Sequence, residues 1–192
     1  MMQLPHAAVF IDKDGTLLDD VPWNVDPLWM RLAPGALDAL RLFAWIGLPL
    51  FVVSNQSGVA LGKFGERALD QVKARLREFA AEAGASFTDM YWCPHHPQGI
   101  VPEYTRACDC RKPAPGLLLR AAREHDIDLS QSWFIGDILD DVEAGHRAGC
   151  RCVLIDNGNE TEWLRGAGRE PDIVAKDMYE AAIAIVNAEC PA

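Results

Sequence analysis

The sequence predicts an α/β protein: a Rossmann-like, three-layer α/β/α arrangement around a mostly parallel central sheet. Three observations predict it. Short runs of near-continuous apolar character alternate with longer stretches of helical periodicity, the pattern of strands covered on both faces. Polar and acidic residues collect just after those runs, where open α/β sheets carry their sites. The 192 residues, 49% of them hydrophobic, suffice for one core, and no repeat or low-complexity linker divides them. The expectation is a single domain over 1–192 with a loop inserted at 93–110.

The elements follow in order. Ala7 to Ile11 reads as a short buried strand, and Leu17 to Leu32, polar and containing proline and tryptophan, as a loop or flap. Pro34-Gly35 opens a helix to about Trp45, striped by Leu37, Leu40 and Leu42-Phe43 and stopped by Gly47. Leu50 to Val53 is a strand closed by Ser54-Asn55-Gln56-Ser57-Gly58. Glu66 to Ala83 is an amphipathic helix carrying Leu69, Val72, Leu76 and Phe79-Ala80 at helical spacing. A strand at Asp89 to Trp92 leads into an irregular stretch, Cys93 to Lys112. Pro115 to His125 is helical, Trp133 to Ile135 a strand ending at Gly136-Asp137, Asp140 to Ala148 a helix, and Cys152 to Ile155 a strand. A last short strand at Ile173-Val174 precedes a helix over Tyr179 to Asn187.

The formal charge of −10 lacks the basic footprint that nonspecific nucleic-acid binding needs. Met1 to Pro5 has no basic segment, Ala7 to Ile11 is too short for a signal core, and no apolar run approaches the ~20 residues of a membrane span. A soluble, cytoplasmic protein is expected. No coiled-coil stripe or exposed repeat calls for a protein partner, so the expected state is a monomer.

The most informative run is Phe10-Ile11-Asp12-Lys13-Asp14-Gly15-Thr16-Leu17-Leu18-Asp19. Two carboxylates stand two residues apart directly after a strand. Asp12 is the candidate nucleophile, since a carboxylate can attack phosphorus and split hydrolysis into two steps. Asp14 is the candidate acid/base, protonating the leaving oxygen and then deprotonating water. The two converge on one ligand while Lys13 points elsewhere. Gly15 permits a tight backbone path, and Thr16 can donate a hydrogen bond locally. Ser54, after the second strand, can hold a phosphoryl oxygen together with nearby backbone N–H groups. Lys112 can neutralise phosphoryl charge, and Arg111 can bind substrate further out. Asp137 can join Asp12 and the backbone carbonyl of Asp14 as hard oxygen ligands for Mg²⁺, with Asp141 orienting that shell or Lys112. Asp140 reads as a helix-start residue.

Six cysteines would suit a disulfide framework, but their spacing argues for a metal. Cys93-Pro94-His95 and Cys108-Asp109-Cys110 offer three thiolates and one imidazole, a donor set for tetrahedral structural Zn²⁺. Such an ion would staple the irregular loop and fix Arg111 and Lys112, which follow the last ligand. Cys150, Cys152 and Cys190 lie elsewhere, and His96 is the rival to His95.

Together Asp12-Lys13-Asp14-Gly15-Thr16, Ser54-Asn55-Gln56-Ser57-Gly58, Arg111-Lys112-Pro113 and Gly136-Asp137 through Asp141 resemble a haloacid dehalogenase superfamily phosphatase of the small, nearly capless type. Within it, the segment Cys93-Pro94-His95-His96-Pro97-Gln98-Gly99, completed by Cys108 to Pro113, resembles the bacterial heptose-bisphosphate phosphatases. The likeness runs from about Val9 to Gly158. It implies an aspartyl-phosphate at Asp12, acid/base work by Asp14, and phosphoryl contacts from Ser54 and Lys112, with Asn55 and Arg111 on the substrate side. It also implies Mg²⁺ at Asp12, the Asp14 carbonyl and Asp137, and structural Zn²⁺ at Cys93, His95, Cys108 and Cys110. The implied substrate is a small phosphorylated sugar destined for surface glycans. Two positions depart from the family's pattern: Lys13 stands where arginine is common, and Ile138 where heptose enzymes often carry lysine.

Histidinol-phosphate phosphatases share the aspartate core and a zinc loop, but usually with a shorter spacer than that between His95 and Cys110 here. Other small phosphosugars fit the same chemistry. A mutase would need a substantial cap to exclude water. A noncatalytic zinc-stapled interaction domain would leave Asp12, Asp14, Ser54, Lys112 and Asp137 without a purpose.

Overall fold

A computed structural model describes residues 7–189; Met1 to Pro5, read above for a signal, and Cys190 lie outside the described residues. The strands are β1 (Val9–Ile11), β2 (Leu50–Asn55), β3 (Phe87–Cys93), β4 (Trp133–Gly136), β5 (Arg151–Ile155) and β6 (Ile173–Ala175). The helices are α1 (Ala36–Ile46), α2 (Ala68–Glu82), α3 (Gly116–His125), α4 (Leu139–Ala148) and α5 (Met178–Glu189). All six strands run parallel in the order β3-β2-β1-β4-β5-β6. The sheet is therefore wholly parallel among the described residues, where a mostly parallel one was expected.

Burial explains why the strands read as unbroken apolar runs. Val9 and Ile11 of β1, Val52 of β2 and Ile135 of β4 face one core with α1, α2 and α5. Phe10, Phe51, Val53 and Phe134 face the other, with α3 and α4. Both faces of each central strand are dry, so alternation of polar and apolar residues disappears. In α1, Ala36, Ala39, Leu40 and Phe43 form the buried stripe, and the helix stops at Gly47, whose left-handed φ of 71° lets its N–H reach the carbonyls of Phe43 and Ala44.

Strand order fixes the position of the site. The chain leaves β1 to build β2 and β3 on one side, then returns beyond β1 for β4, β5 and β6 on the other. Loops leaving the carboxyl ends of β1 and β4 thus diverge, opening a crevice there. Over it lies the segment after Leu18, closed at its base by the antiparallel bridge between Leu18 and Leu32 and by the Asp19 N–H donating to the Arg31 carbonyl (3.0 Å). Beyond β3 the irregular loop hangs from the sheet edge: the Gln56 N–H donates to the Cys93 carbonyl (2.8 Å), and the Ile100 N–H to the Ala60 carbonyl (2.8 Å).

Helix α4 approaches the sheet through Gly145. A Cβ there would stand 2.3 Å from Cys152 Sγ and 3.2 Å from Phe134 Cβ. Alanine at an ordinary mid-helix position gains up to about 1 kcal/mol over glycine. Overpacking at this one costs about 1–3 kcal/mol. Gly145→Ala is therefore expected to lower the urea midpoint despite its better helix propensity; a raised midpoint would show that α4 can shift away freely.

Candidate active site

β1 delivers Asp12 to the crevice. The Asp12 N–H donates to the Ile135 carbonyl (2.9 Å), so the β1–β4 ladder carries straight into the acidic turn. Gly15 turns the chain at φ 80°, and its missing side chain matters: a Cβ would lie 2.1 Å from Asp137 Oδ2. The close approach of Gly15 to Asp137 brings the loops after β1 and β4 together. Thr16 Oγ1 donates across the crevice to Asp137 Oδ1 (3.0 Å), a long-range bond where a local one was expected.

Lys112 comes from the loop before α3 and is buried to 4% exposure. Its ammonium stands 2.5 Å from Asp12 Oδ1, 2.5 Å from Asp141 Oδ1 and 3.4 Å from the Val53 carbonyl. Burial works against its charge, but Asp12 and Asp141 outweigh that and hold it above the usual lysine range. Asn55 clasps the backbone of Lys112, accepting from its N–H (3.0 Å) and donating to its carbonyl (3.2 Å). The Asn55 amide is thus committed to holding Lys112, although the residue also lines the cavity. Asp141, 1% exposed, accepts from the Ile138 N–H (3.4 Å) at the start of α4, so one residue serves both the helix end and Lys112.

An open cavity of about 220 Å³ is lined by Asp12, Asp14, Asp20, Ser54, Asn55, Lys112, Asp137, Ile138 and Asn159. A second recess, sharing Asp14, Asp20 and Asn55, adds Val21, Pro22, Trp23 and the Gln56–Gly58 turn. The structure therefore gathers Asp12, Asp14, Ser54, Lys112 and Asp137, distant in sequence, around one space. Arg111 does not line this cavity; it is half-buried, and its Nη1 has no partner. Asp140 sits in the first turn of α4 and pairs with Arg169 (3.0 Å).

Four polar residues have roles the sequence reading missed. Gln56 Nε2 donates to both Asp14 Oδ2 and Ser54 Oγ, at 3.0 Å each, tying the acid/base candidate to the phosphate-binding candidate. Asn159 Nδ2 donates to Asp137 Oδ2 (2.8 Å), and Asn157 Nδ2 to the Gly15 carbonyl (2.8 Å), so the loop after β5 braces both sides of the acidic cluster. Lys13, expected to point elsewhere, does stay out of the cavity lining, but its buried ammonium lies 2.8 Å from Asp14 Oδ1. Gln56 stood inside a recognised motif. The two asparagines carry no local signal, because their partners follow other strands, β1 for Gly15 and β4 for Asp137.

Carboxylate oxygens of Asp12, Asp137 and Asp141 lie within 4.8 Å of one another. Burial, then the charges of Asp12 and Asp141, push the Asp137 carboxyl up to about 8. Burial lifts Asp141 to about 6 against the pull of Lys112. Asp14 is raised as well, by burial first, with Lys13 opposing. Such crowding of hard oxygen donors fits a divalent cation such as Mg²⁺.

On the irregular loop, Cys93, His95, Cys108 and Cys110 also converge within 4.8 Å. The sulfur pairs are 2.9 Å (Cys93–Cys110), 3.3 Å (Cys108–Cys110) and 3.5 Å (Cys93–Cys108), and His95 Nδ1 lies 3.2 Å from Cys110 Sγ. All are free thiols. Burial, then Arg106, lowers the His95 pKa and favours neutral imidazole. Arg106 stands 2.6 Å from Nε2, on an exposed side chain able to swing clear.

The sequence model of a family described as HAD-hydrolase-like matches residues 109–181. The chain is 39% identical over 184 residues to D-glycero-beta-D-manno-heptose-1,7-bisphosphate 7-phosphatase of Escherichia coli strain K12, covering 91% of this chain and 96% of that one. It is 33% identical over 153 residues to D-glycero-alpha-D-manno-heptose-1,7-bisphosphate 7-phosphatase of Photorhabdus laumondii, covering 79% and 84%. The D,D-heptose 1,7-bisphosphate phosphatase from B. bronchiseptica, solved with magnesium and phosphate, superposes with a TM-score of 0.76 at 26% identity, over 95% of this chain and 99% of that one.

A carboxyl whose native pKa is raised loses its proton in the unfolded chain first, so folding becomes less favourable as pH climbs toward the native value. With Asp137 near 8 and Asp141 near 6, the melting temperature of metal-free protein should fall between about pH 5 and about pH 8. Mg²⁺ binds the deprotonated cluster, so the rise in melting temperature it causes should grow across the same window. Differential scanning fluorimetry with EDTA or Mg²⁺ measures both; a Mg²⁺ effect independent of pH would contradict the raised pKa values of the cluster.

Proposed function

The chain belongs to the haloacid dehalogenase superfamily phosphatases related to the bacterial heptose-bisphosphate 7-phosphatases, and on that premise we propose that it removes the 7-phosphate of D-glycero-D-manno-heptose 1,7-bisphosphate. The observation that carries the chemistry is the Asp12–Lys112–Asp141 array, with Asp14 and Ser54 on the same cavity. Lys112 holds one Asp12 oxygen, which leaves the other to attack phosphorus. The Asp12 oxygen–phosphorus bond forms as the bond to the sugar oxygen breaks, and Asp14 supplies the proton that oxygen needs. Its raised pKa keeps that proton available. Asp14 then takes a proton from water as the water oxygen displaces Asp12, releasing inorganic phosphate. Both hydrogens of the Gln56 amide are spent on Asp14 and Ser54 Oγ, so the Ser54 hydroxyl hydrogen is free for a phosphoryl oxygen.

Asp12, Asp137 and the Asp14 carbonyl are the Mg²⁺ ligands in this reading, with Thr16 and Asn159 aiming Asp137. When bound, the ion neutralises charge on the phosphoryl oxygens. Asp141 holds Lys112, Gly15 keeps the turn clear, and Asn55 fixes Lys112 from the substrate side. Arg111, whose buried Nη1 has no partner and which lines neither recess, would meet a phosphate further along the sugar by turning toward the cavity. Cys93, His95, Cys108 and Cys110 form a structural Zn²⁺ site, all four positions being protein ligands. Their sulfurs stand 2.9, 3.3 and 3.5 Å apart as thiols, close enough that one ion would be shared by all three.

The reading extends to one catalytic domain, monomeric and cytoplasmic, acting on a small phosphosugar of surface-glycan synthesis. No described helix is long and apolar enough to cross a membrane. Relatives of both anomeric types match the chain, and Ile138 puts an apolar side chain beside Asp137 in the cavity.

Asp12→Asn should lower kcat by at least about 10³-fold while circular dichroism stays native; a variant within tenfold of wild type would remove the nucleophile assignment. Mg²⁺-dependent phosphate release from both heptose bisphosphate anomers, histidinol phosphate and fructose 1,6-bisphosphate tests the substrate. A kcat/KM preference of about 100-fold for one heptose anomer, about 2.7 kcal/mol of transition-state discrimination, is expected. Equal weak turnover would leave the phosphatase and reject the heptose. Cys108→Ser should release zinc; unchanged elemental zinc content would refute the ligand set.

A further inference from the structure

Lys13 is fully buried, in a turn where its neighbours on both sides are the paired aspartates. A buried ammonium is tolerated only when its hydrogens find partners. The partners here belong to two different parts of the molecule. One is Asp14 Oδ1 at 2.8 Å. The other is the backbone carbonyl of Asn24, at 3.1 Å, in the flap over the crevice. Asn24 is itself anchored: it is 6% exposed, its N–H donates to the Val21 carbonyl (3.2 Å), and its Nδ2 donates to the Trp29 carbonyl (3.4 Å).

The residue just before Asn24 is Trp23, which lines the second recess together with Asp14, Asp20 and Val21. Trp23 takes φ 58°, a left-handed conformation that a bulky side chain adopts only when its surroundings impose it. It stays 45% exposed. This recess adjoins the reaction cavity through Asp14, so the alcohol portion of a phosphomonoester meets Trp23 and Asp14 on the same side. The other Asp14 oxygen is held by Gln56. Lys13 is therefore the one described contact joining the acid/base carboxylate to the flap backbone at the recess.

We propose that Lys13 is a positioning residue that couples the flap's grip on the leaving group to the aim of Asp14. The inference rests on the phosphatase reading, not on the identity of the sugar. When the alcohol packs against Trp23, the adjoining Asn24 carbonyl fixes the Lys13 ammonium. That ammonium in turn fixes Asp14 Oδ1, with the carboxyl directed at the departing oxygen. Lys13 touches neither phosphate nor cavity. In the phosphoryl-transfer half of the reaction its effect should appear only where the leaving group needs a proton, whereas water activation by Asp14 in the second half is common to all substrates.

The test compares wild type, Lys13→Met and Lys13→Arg at saturating Mg²⁺ on two substrates. One is D-glycero-D-manno-heptose 1,7-bisphosphate, whose leaving alkoxide requires protonation. The other is p-nitrophenyl phosphate, whose leaving phenolate does not. For Lys13→Met, kcat on the heptose should drop by about 10–100-fold with KM within about threefold, while kcat/KM on p-nitrophenyl phosphate, which excludes hydrolysis of the aspartyl-phosphate, stays within about threefold. Lys13→Arg should recover most of the heptose rate. Trp23→Ala should lower heptose kcat in wild type but add little in Lys13→Met. Equal losses on both substrates would overturn the proposal in favour of a purely structural lysine. So would unchanged rates on both, or additive effects of the Trp23 and Lys13 changes. Circular dichroism separates these results from misfolding, and if Lys13→Met is unfolded Lys13→Gln and the Trp23→Ala cycle built on it carry the comparison, with the same expected and overturning results. If wild type cleaves p-nitrophenyl phosphate but not the heptose, the heptose reading fails alone, and fructose 1,6-bisphosphate replaces it as the alkyl phosphate.

Discussion

The Lys112 ammonium, buried between Asp12 and Asp141, is the interaction on which the rest of the site depends. Four carboxylates, those of Asp12, Asp14, Asp137 and Asp141, meet two buried ammoniums, Lys13 and Lys112. With every group ionised, the centre carries two more negative than positive charges. Charges removed from water need partners, and this imbalance is the kind a divalent cation corrects. An anionic phosphoryl group could not approach four unpaired carboxylates. It can approach a set in which Lys112 and a metal neutralise the carboxylates around the phosphoryl group and Lys13 compensates Asp14 from behind. The −10 charge of the whole chain is therefore no obstacle to an anionic substrate, because the field at the crevice is set locally.

Parallel strand order is what makes that convergence possible. Asp12 and Asp137 extend from neighbouring strands, β1 and β4, and Ser54 from β2 on the other side of β1. Strands spaced about 4.8 Å apart place the residues at their carboxyl ends within reach of one ligand. Loops then supply what strands cannot. Lys112 reaches in from the irregular segment, its backbone held by Asn55. The cysteine–histidine cluster ends two residues before Lys112. A constraint on Cys110 is thereby a constraint on where the lysine begins, which links the cysteine–histidine cluster to Lys112 without either touching the other.

Small side-chain choices keep the crevice tight. Gly15 lets Asp137 pass, and Gly136, where a Cβ would stand 2.2 Å from the Asp141 Cβ, lets α4 start directly behind the acidic cluster. The flap shows a different economy. With no large cap among the described residues, the recess beside Asp14 is walled by a loop whose base is pinned by the Leu18–Leu32 bridge and whose interior is held by a buried lysine. Trp23, Leu28 and Trp29 remain partly or largely exposed on it.

The sequence by itself determined the elements and the addresses of the acidic groups. Strands buried on both faces must be apolar throughout, and helices packed by one face must be striped, so β1 to β6 and α1 to α5 were legible within a few residues. Asp12 and Asp137 were legible as site candidates because each directly follows such a strand, and Ser54 because it ends the apolar run of β2. What only the tertiary structure decided was the pairing of polar side chains. Lys112 with Asp141, Thr16 and Asn159 with Asp137, Gln56 with Asp14, and Lys13 with the Asn24 carbonyl depend on distances between loops. Apolar burial repeats along the chain with the period of the helix or strand and leaves a pattern there. A hydrogen bond between two loops has no period, and it exists only once the sheet has set the loops side by side.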